Sequence, residues 1–592
     1  MSKTRRRLVT VFTVIGMITT GFMLLGVMAV TCTCVTRDEV APKTVLELHL
    51  DRRLGVEGAE DPLASVLGAG GPTAQQVLAA LHRAADDDRV VGVVAHIDGT
   101  SHGMAVVEEL REAVLAFRAT GKPAIAFSET FGELGPGNQG YYLATAFDEI
   151  HLQPTGGLGL TGLRSERMYL RGAFDKLDIE PEGGQRSEYK SAYDRYTARR
   201  MSDADREQTT VLLADMHEQL VAALAPRFDD DAQRAREVIE QGPYLAGEAK
   251  ELGLVDSLSY RDGMLSRLEE QVGEDAERLY AGPYLERAGG PWDEGQVIAV
   301  IYGAGGISRG PSAFDPIEGY SILGAETIIA AFEAAIDDPE VEAIVFRVDS
   351  PGGSAVASDA IWRVTQRAKE AGKPVIISMG NYAASGGYYV SAGATKIVAL
   401  PSTLTGSIGV LSVKMVTRGI WNKLGVTYDS VQTSNNAAFW TANEGYDAEG
   451  RARLDAWLDQ VYADFKQRVA EGRGLTPEQV EELARGRVWS GKRAKELGLV
   501  DELGGMTKAI ELARAAAEID EDASIELRRF PQSKSLVERL LGGGPSNSDK
   551  VAARVRVDAG LEQWRRVAAS VRAIQMGSGD AGVLTVSPLT VE

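Results

Sequence analysis

At 592 residues the chain is too long for one compact domain and has room for about three to five units of ~100–200 residues. A composition of 44% hydrophobic and 25% charged residues excludes a mainly disordered or fibrous protein. With 63 basic against 84 acidic side chains the formal net charge is −21, and no basic stripe offsets it, so nucleic acid is excluded as a partner.

In chain order, the first feature is residues 8–30, 23 positions without a charge. As a helix this stretch reaches roughly 34 Å, enough to cross the hydrocarbon core of a bilayer. Lys3, Arg5, Arg6 and Arg7 precede it and Asp38 and Glu39 follow, so the positive-inside rule leaves the N-terminus in the cytoplasm and sends the bulk of the chain across. An uncleaved anchor over residues 1–35 is the expectation. A cleaved secretory signal, or a lipid on Cys32 or Cys34, would equally place residues 40–592 outside the cytoplasm. Those are the only two cysteines, and no histidine lies beyond His217. Chemistry seated in the second half therefore has neither a thiol nor a local imidazole.

The rest of the chain is a tandem duplication. AKELGLVD occurs at Ala249–Asp256 and again at Ala494–Asp501; Asp86–Gly99 parallels Asp337–Gly353; Thr120–Phe127 parallels Ala371–Ser378; Gln139–Ala146 parallels Gly386–Gly393. The order is the same in both halves, with offsets between 245 and 251. The first copy is assigned to residues 44–285, and a Gly/Pro-rich junction lies near Ala281–Gly295. The second copy, residues 296–530, predicts strands at Ala343–Val348 and Val375–Met379 around a helix over Ser354–Ala371 that stops at Gly372-Lys373-Pro374. Strand, crossover helix and strand imply an α/β fold with parallel sheets. Residues 542–592 carry no recognisable site.

The copies differ where chemistry would sit. The second has Asp349-Ser350-Pro351-Gly352-Gly353 where the first has Asp98-Gly99-Thr100-Ser101. At an offset of 247, Ser385 faces Asn138 and Ser407 faces Leu160. A serine between Ala384 and Gly386, opening a helical run, suits a nucleophile, and amides at Gly386 and in the Gly352-Gly353 turn would make an oxyanion hole. Ala-Ser-Gly-Gly also serves plain close packing, and the specificity comes from both turns occurring together in one copy only. The serine needs a base. With no histidine in that copy, a lysine made neutral by burial is the substitute, and the residues alone do not choose which one.

These stretches, Asp349–Ser354, Gly372–Gly387 and Pro401–Gly409 together with Glu188-Tyr189-Lys190-Ser191-Ala192, resemble the signal peptide peptidase A (protease IV) family in its long, membrane-anchored form. The resemblance covers roughly residues 44–530. It implies two domains of the Clp protease/crotonase type, built of β–β–α superhelical turns, and a Ser–Lys dyad split between the copies. Ser385 would be the nucleophile and Lys190, which faces Ala437, the general base and acid. Gly353 and Gly386 would supply the oxyanion N–H groups, and Ser407 would orient the lysine. It also implies a homotetramer, no cofactor or metal, and apolar peptides such as cleaved signal peptides as substrates on the outer face of a bacterial cytoplasmic membrane.

One departure is that the first copy is four residues longer between Pro123 and Gly140 than the second between Pro374 and Gly387, which bears on the rim and on substrate preference. The competing readings are a crotonase-like acyl-CoA enzyme, disfavoured because CoA thioesters are cytosolic, and an inactive tethered scaffold. The dyad demands that the Ser385 hydroxyl and the Lys190 amine lie within hydrogen-bond reach, ~2.6–3.2 Å.

Overall fold

A computed structural model describes residues 39–52, 54–55, 72–99, 102–315 and 320–531. The expected anchor at 8–30, Cys32, Cys34, Thr100, Ser101 and the tail at 542–592 lie outside these residues. Among the described residues no helix is long and apolar enough to cross a membrane.

Both halves are α/β, and the duplication is written into the strand order. The first sheet runs Ser257–Leu258, Glu149–Leu152, Ala124–Ser128, Val90–His96, Thr44–His49, Glu277–Tyr280, all parallel. The second repeats that order with Glu502–Leu503, Lys396–Ala399, Val375–Ala384, Val341–Ser350, Gln296–Ala304 and Ile525–Phe530, again all parallel. Its central strands are near-continuous apolar runs because helices cover both faces. The helix expected between them forms over Ala355–Glu370; the Ser354 side chain caps its first turn and Gly372, at φ +81°, ends it before Pro374.

Two of the sequence repeats touch each other, in the same way, in each half. The Tyr141 hydroxyl donates to the Leu254 carbonyl at 2.7 Å, and Tyr388 to Leu499 at 2.9 Å. Asp256 accepts from the Ile150 N–H at 2.8 Å and Asp501 from Ile397 at 2.8 Å. Buried tyrosine hydroxyls and strand-edge amides both need partners, which gives AKELGLVD a structural reason to persist twice.

The segment Ala281–Gly295 begins as a helix, Ala281–Ala288, whose Tyr284 is buried against the first core and bonds Asp87 at 3.0 Å; residues 289–295 then lead to the second sheet. The longer first-copy loop carries Leu134 fully exposed at its tip.

The halves are joined by more than a linker. Strand Glu180–Arg186 of the first half pairs antiparallel with Val410–Val416 of the second, in register from Val410 opposite Arg186 to Val416 opposite Glu180. Buried between the halves, Arg347 donates to both oxygens of Glu109, at 3.2 and 2.7 Å, and Ser402 donates its hydroxyl and amide to Glu108 at 2.5 and 3.0 Å.

Candidate active site

The strand Val375–Ala384 changes partners along its length. On one edge its first half pairs with Lys396–Ala399, while Tyr382–Ala384 pair with Leu404–Gly406, which in turn pair with Val488–Ser490. Ala384 and Gly406 stand opposite each other, and the next residue on each strand is Ser385 and Ser407. Both serines leave the ladder with positive φ, 56° and 50°, a backbone region non-glycine residues adopt at a cost of order 1–3 kcal/mol. The Ser385 N–H is held by the Gly406 carbonyl at 2.8 Å and that of Ser407 by Arg487 at 2.7 Å, so the turns are fixed from both sides. The sharp turn puts the Ser385 side chain at the entrance of the helix Gly386–Ser391.

Lys190 arrives from the other half. Four residues after the cross-repeat ladder ends at Arg186, its Nζ lies 2.8 Å from Ser385 Oγ, 2.8 Å from the Ser407 carbonyl and 3.0 Å from Ser407 Oγ. The turn Arg485–Arg487 wedges the two halves together there: Tyr189 N–H bonds the Arg485 carbonyl, and Gly486 N–H the Ile408 carbonyl. Gly486, at φ +79°, backs directly on the lysine, where a Cβ would fall 2.6 Å from Lys190 Cβ. All three polar side chains are closed to solvent: Ser385 is 0%, Lys190 1% and Ser407 2% exposed. Burial with no carboxylate partner disfavours the ammonium form and pulls Lys190 down to about 7.

The two glycines of interest also converge. Ile307 forms a single bridge with Gly353, its N–H bonding Gly352 and its carbonyl accepting from Ser354. Alternation along an extended chain turns the Gly353 N–H away from Ile307. A Cβ on Gly386 would lie 3.1 Å from the Gly353 nitrogen, so the two backbones are neighbours, and the Gly386 amide, at a helix start, has no intrahelical acceptor. Five residues named from the sequence, Ser385, Lys190, Ser407, Gly353 and Gly386, thus stand in one place.

The equivalent positions of the first copy are filled differently. Asn138 is a buried staple, accepting from the Thr161 and Gly162 amides at 3.0 and 3.2 Å and donating to the Gly162 carbonyl at 2.9 Å, and Leu160 is core. Sequence reasoning missed the layer behind the lysine, Arg167, Asp205 and Gln208, because no motif marks residues whose contacts are made only in the folded chain.

A metal-ligand set is present only in outline. Glu47, His49 and His96 bring ligand atoms within 4.8 Å of one another on the first sheet. Glu47 is already committed: His96 first, then Arg261 at 2.8 Å, hold its carboxyl at about 2, and Arg278 lies 3.4 Å away. Two guanidinium groups on the central carboxylate oppose a further cation, and the cluster is an ion-pair network.

Comparison with known proteins identifies the family. The profile of peptidase family S49 matches residues 116–275 and 367–520, one stretch in each repeat. The chain is 33% identical over 475 residues to "Serine protease SPPA, chloroplastic" of Arabidopsis thaliana, covering 78% of this chain and 69% of the relative. It is 32% identical to "Protease 4" of Salmonella typhi, covering 74% and 72%, and 29% identical to "Protease 4" of Haemophilus influenzae, covering 76% and 74%. With two matched repeats and relatives aligned over most of their length, this chain belongs to peptidase family S49 and is a serine protease.

Proposed function

We propose that the protein is a membrane-anchored endopeptidase working through a Ser385–Lys190 dyad. The observation that carries the reading is the 2.8 Å separation of Lys190 Nζ and Ser385 Oγ, two groups delivered by opposite repeats into a site closed to water. In its neutral form the lysine accepts the Ser385 proton as Oγ attacks the scissile carbonyl. The Gly353 and Gly386 amides receive the developing oxyanion, worth a few kcal/mol of transition-state stabilisation. The lysine ammonium then protonates the departing amine, and a water, deprotonated by the same lysine, releases the acyl group from Ser385. Ser407 holds Nζ through its hydroxyl and carbonyl, which keeps the amine aimed at Oγ. Because Ser385 has no exposed surface in the single chain, a peptide reaches it only as neighbouring groups move apart.

In this reading residues 44–285 and 296–530 are two Clp/crotonase-like domains, residues 8–30 the anchor, and the catalytic part lies on the extracytoplasmic side of a bacterial inner membrane as a homotetramer. The substrates are apolar peptides left near the bilayer, such as cleaved signal peptides, because the anchor holds the site close to them. Active-site labelling with a fluorophosphonate probe tests the dyad. Label is expected on Ser385 and is lost in both Ser385→Ala and Lys190→Ala; full labelling of the lysine variant overturns it.

A further inference from the structure

We propose that Gln208 is the positioning residue for the general base: its side-chain amide ties the residues on both sides of Lys190, through the Tyr189 carbonyl and the Ser191 hydroxyl, to the strand ladder that carries Ser385 and Ser407. The inference rests on the dyad reading above and deepens it.

Lys190 sits in a turn between the strand ending at Arg186 and the short helix Asp194–Thr197, so regular backbone pairing does not hold it. A flexible lysine on an irregular segment has to be placed by its neighbours. Gln208, 2% exposed, does this with both ends of its amide, the NH2 group facing the lysine segment and the oxygen facing the ladder. Its Nε2 lies 3.2 Å from the Tyr189 carbonyl and 3.1 Å from Ser191 Oγ, the residues on either side of the lysine, and 3.0 Å from Asp205. Its Oε1 accepts the N–H of Val488 at 3.1 Å. Val488 pairs with Gly406, the residue before Ser407, and Gly406 pairs with Ala384, the residue before Ser385. One amide therefore spans base and nucleophile across the two repeats.

The support beneath it is rigid. Asp205, Gln208 and Thr209 share one face of the helix Asp203–Leu224, at i, i+3 and i+4. Asp205 accepts from Ser191 Oγ at 2.6 Å and from the Arg167 guanidinium, whose other nitrogen bonds Thr209 at 2.9 Å. Farther along the helix, Leu212 and Met216 pack with Ala384, Leu404 and Val488. Asp205 is balanced by Arg167, and an uncharged amide at 208 adds no carboxylate near Lys190, which burial alone perturbs. A neutral tie is what a neutral base requires.

The test is steady-state kinetics of the full-length enzyme on an internally quenched apolar peptide across pH. In Gln208→Met, similar in size but unable to bond, kcat is expected to fall about 10- to 100-fold from misplacement of the base, with KM little changed. The acidic limb of kcat should move to higher pH as water reaches the lysine. Ser191→Ala, which cuts one of the two flanking ties, should shift both in the same direction by less, and decides the matter where Gln208→Met does not fold. A purely structural role would lower the melting temperature and leave kcat per labelled site and the pH limb in place; that result in both variants overturns the proposal. Lys190→Ala run alongside separates the two layers: if it keeps activity, the dyad reading fails and the clamp falls with it. If it is inactive while the Gln208 and Ser191 variants match wild type, only the clamp fails.

Discussion

Arg186 and Val410 stand opposite each other at the end of the antiparallel ladder that joins the two repeats, and the site begins where that ladder stops. From Arg186 the first repeat runs on to Lys190; three residues before Val410 the second repeat carries Ser407. Lys190 and Ser407, 217 residues apart in the chain, are brought within 3.0 Å by the register of one strand pair.

The buried lysine links activity and stability to pH in the same direction. Activity should fall as pH drops through about 7, where Lys190 gains its proton. The unfolded chain keeps that proton up to about 10.5, so between about 7 and 10.5 the unfolded state binds more protons and stability rises with pH. Below about 7 the full cost of a buried charge is borne. Lys190→Met should therefore be inactive yet raise the unfolding free energy by a few kcal/mol at pH 6, a gain that shrinks toward pH 10. Chemical denaturation at several pH values checks this, and an equal effect at pH 6 and pH 10 would contradict it.

Gly386 should tolerate no side chain. An added Cβ would sit 2.6 Å from Ser358 Oγ and 3.1 Å from the Gly353 nitrogen, crowding the place the oxyanion would occupy. Gly386→Ala is expected to cost about 10²-fold or more in kcat. Ser385 should remain reactive to a small electrophile, measured by rates of hydrolysis and of labelling on one preparation.

The buried Arg347–Glu109 pair should behave asymmetrically. Arg347→Met alone leaves Glu109 charged and unpaired between the repeats and should destabilise by about 3–5 kcal/mol. Combining it with Glu109→Leu should recover most of that loss. A double-mutant cycle by urea unfolding measures it, and simple additivity of the two losses would be the wrong result.

Glu108 gives a stability term of the other sign. Burial, opposed by the hydrogen bonds from Ser402, pushes its carboxyl up to about 8. Between its ordinary 4.5 and about 8 the folded state binds the extra proton, so this contribution is present at low pH and is lost as pH rises through 8. Glu108→Gln keeps the neutral shape and should flatten that decline, with a higher melting temperature than wild type at pH 8–9 and little difference at pH 4.

Much of this was legible without coordinates. The duplicated strings predicted two α/β halves, and the strands around Ala343–Val348 and Val375–Met379 follow from continuous apolar runs that only a sheet covered on both faces requires. Ser385 stood out because one copy alone pairs two glycine-rich turns. The lysine could not be chosen from residue pattern, and resemblance to a family supplied Lys190. The pull on its pKa comes from burial, which no local string encodes.

What the sequence determined by itself is whatever neighbours in the chain decide: the repeat, its strands and helices, the helix stop at Gly372, and the serine between small residues. What tertiary structure alone decided is the meeting of Lys190 with Ser385 and Ser407, the strained turns at the two serines, and the Gln208 hydrogen bonds behind Lys190. The physical reason is distance along the chain. Those contacts join residues up to 280 positions apart, and their energies exist only once the ladder between the repeats has formed and water has been expelled.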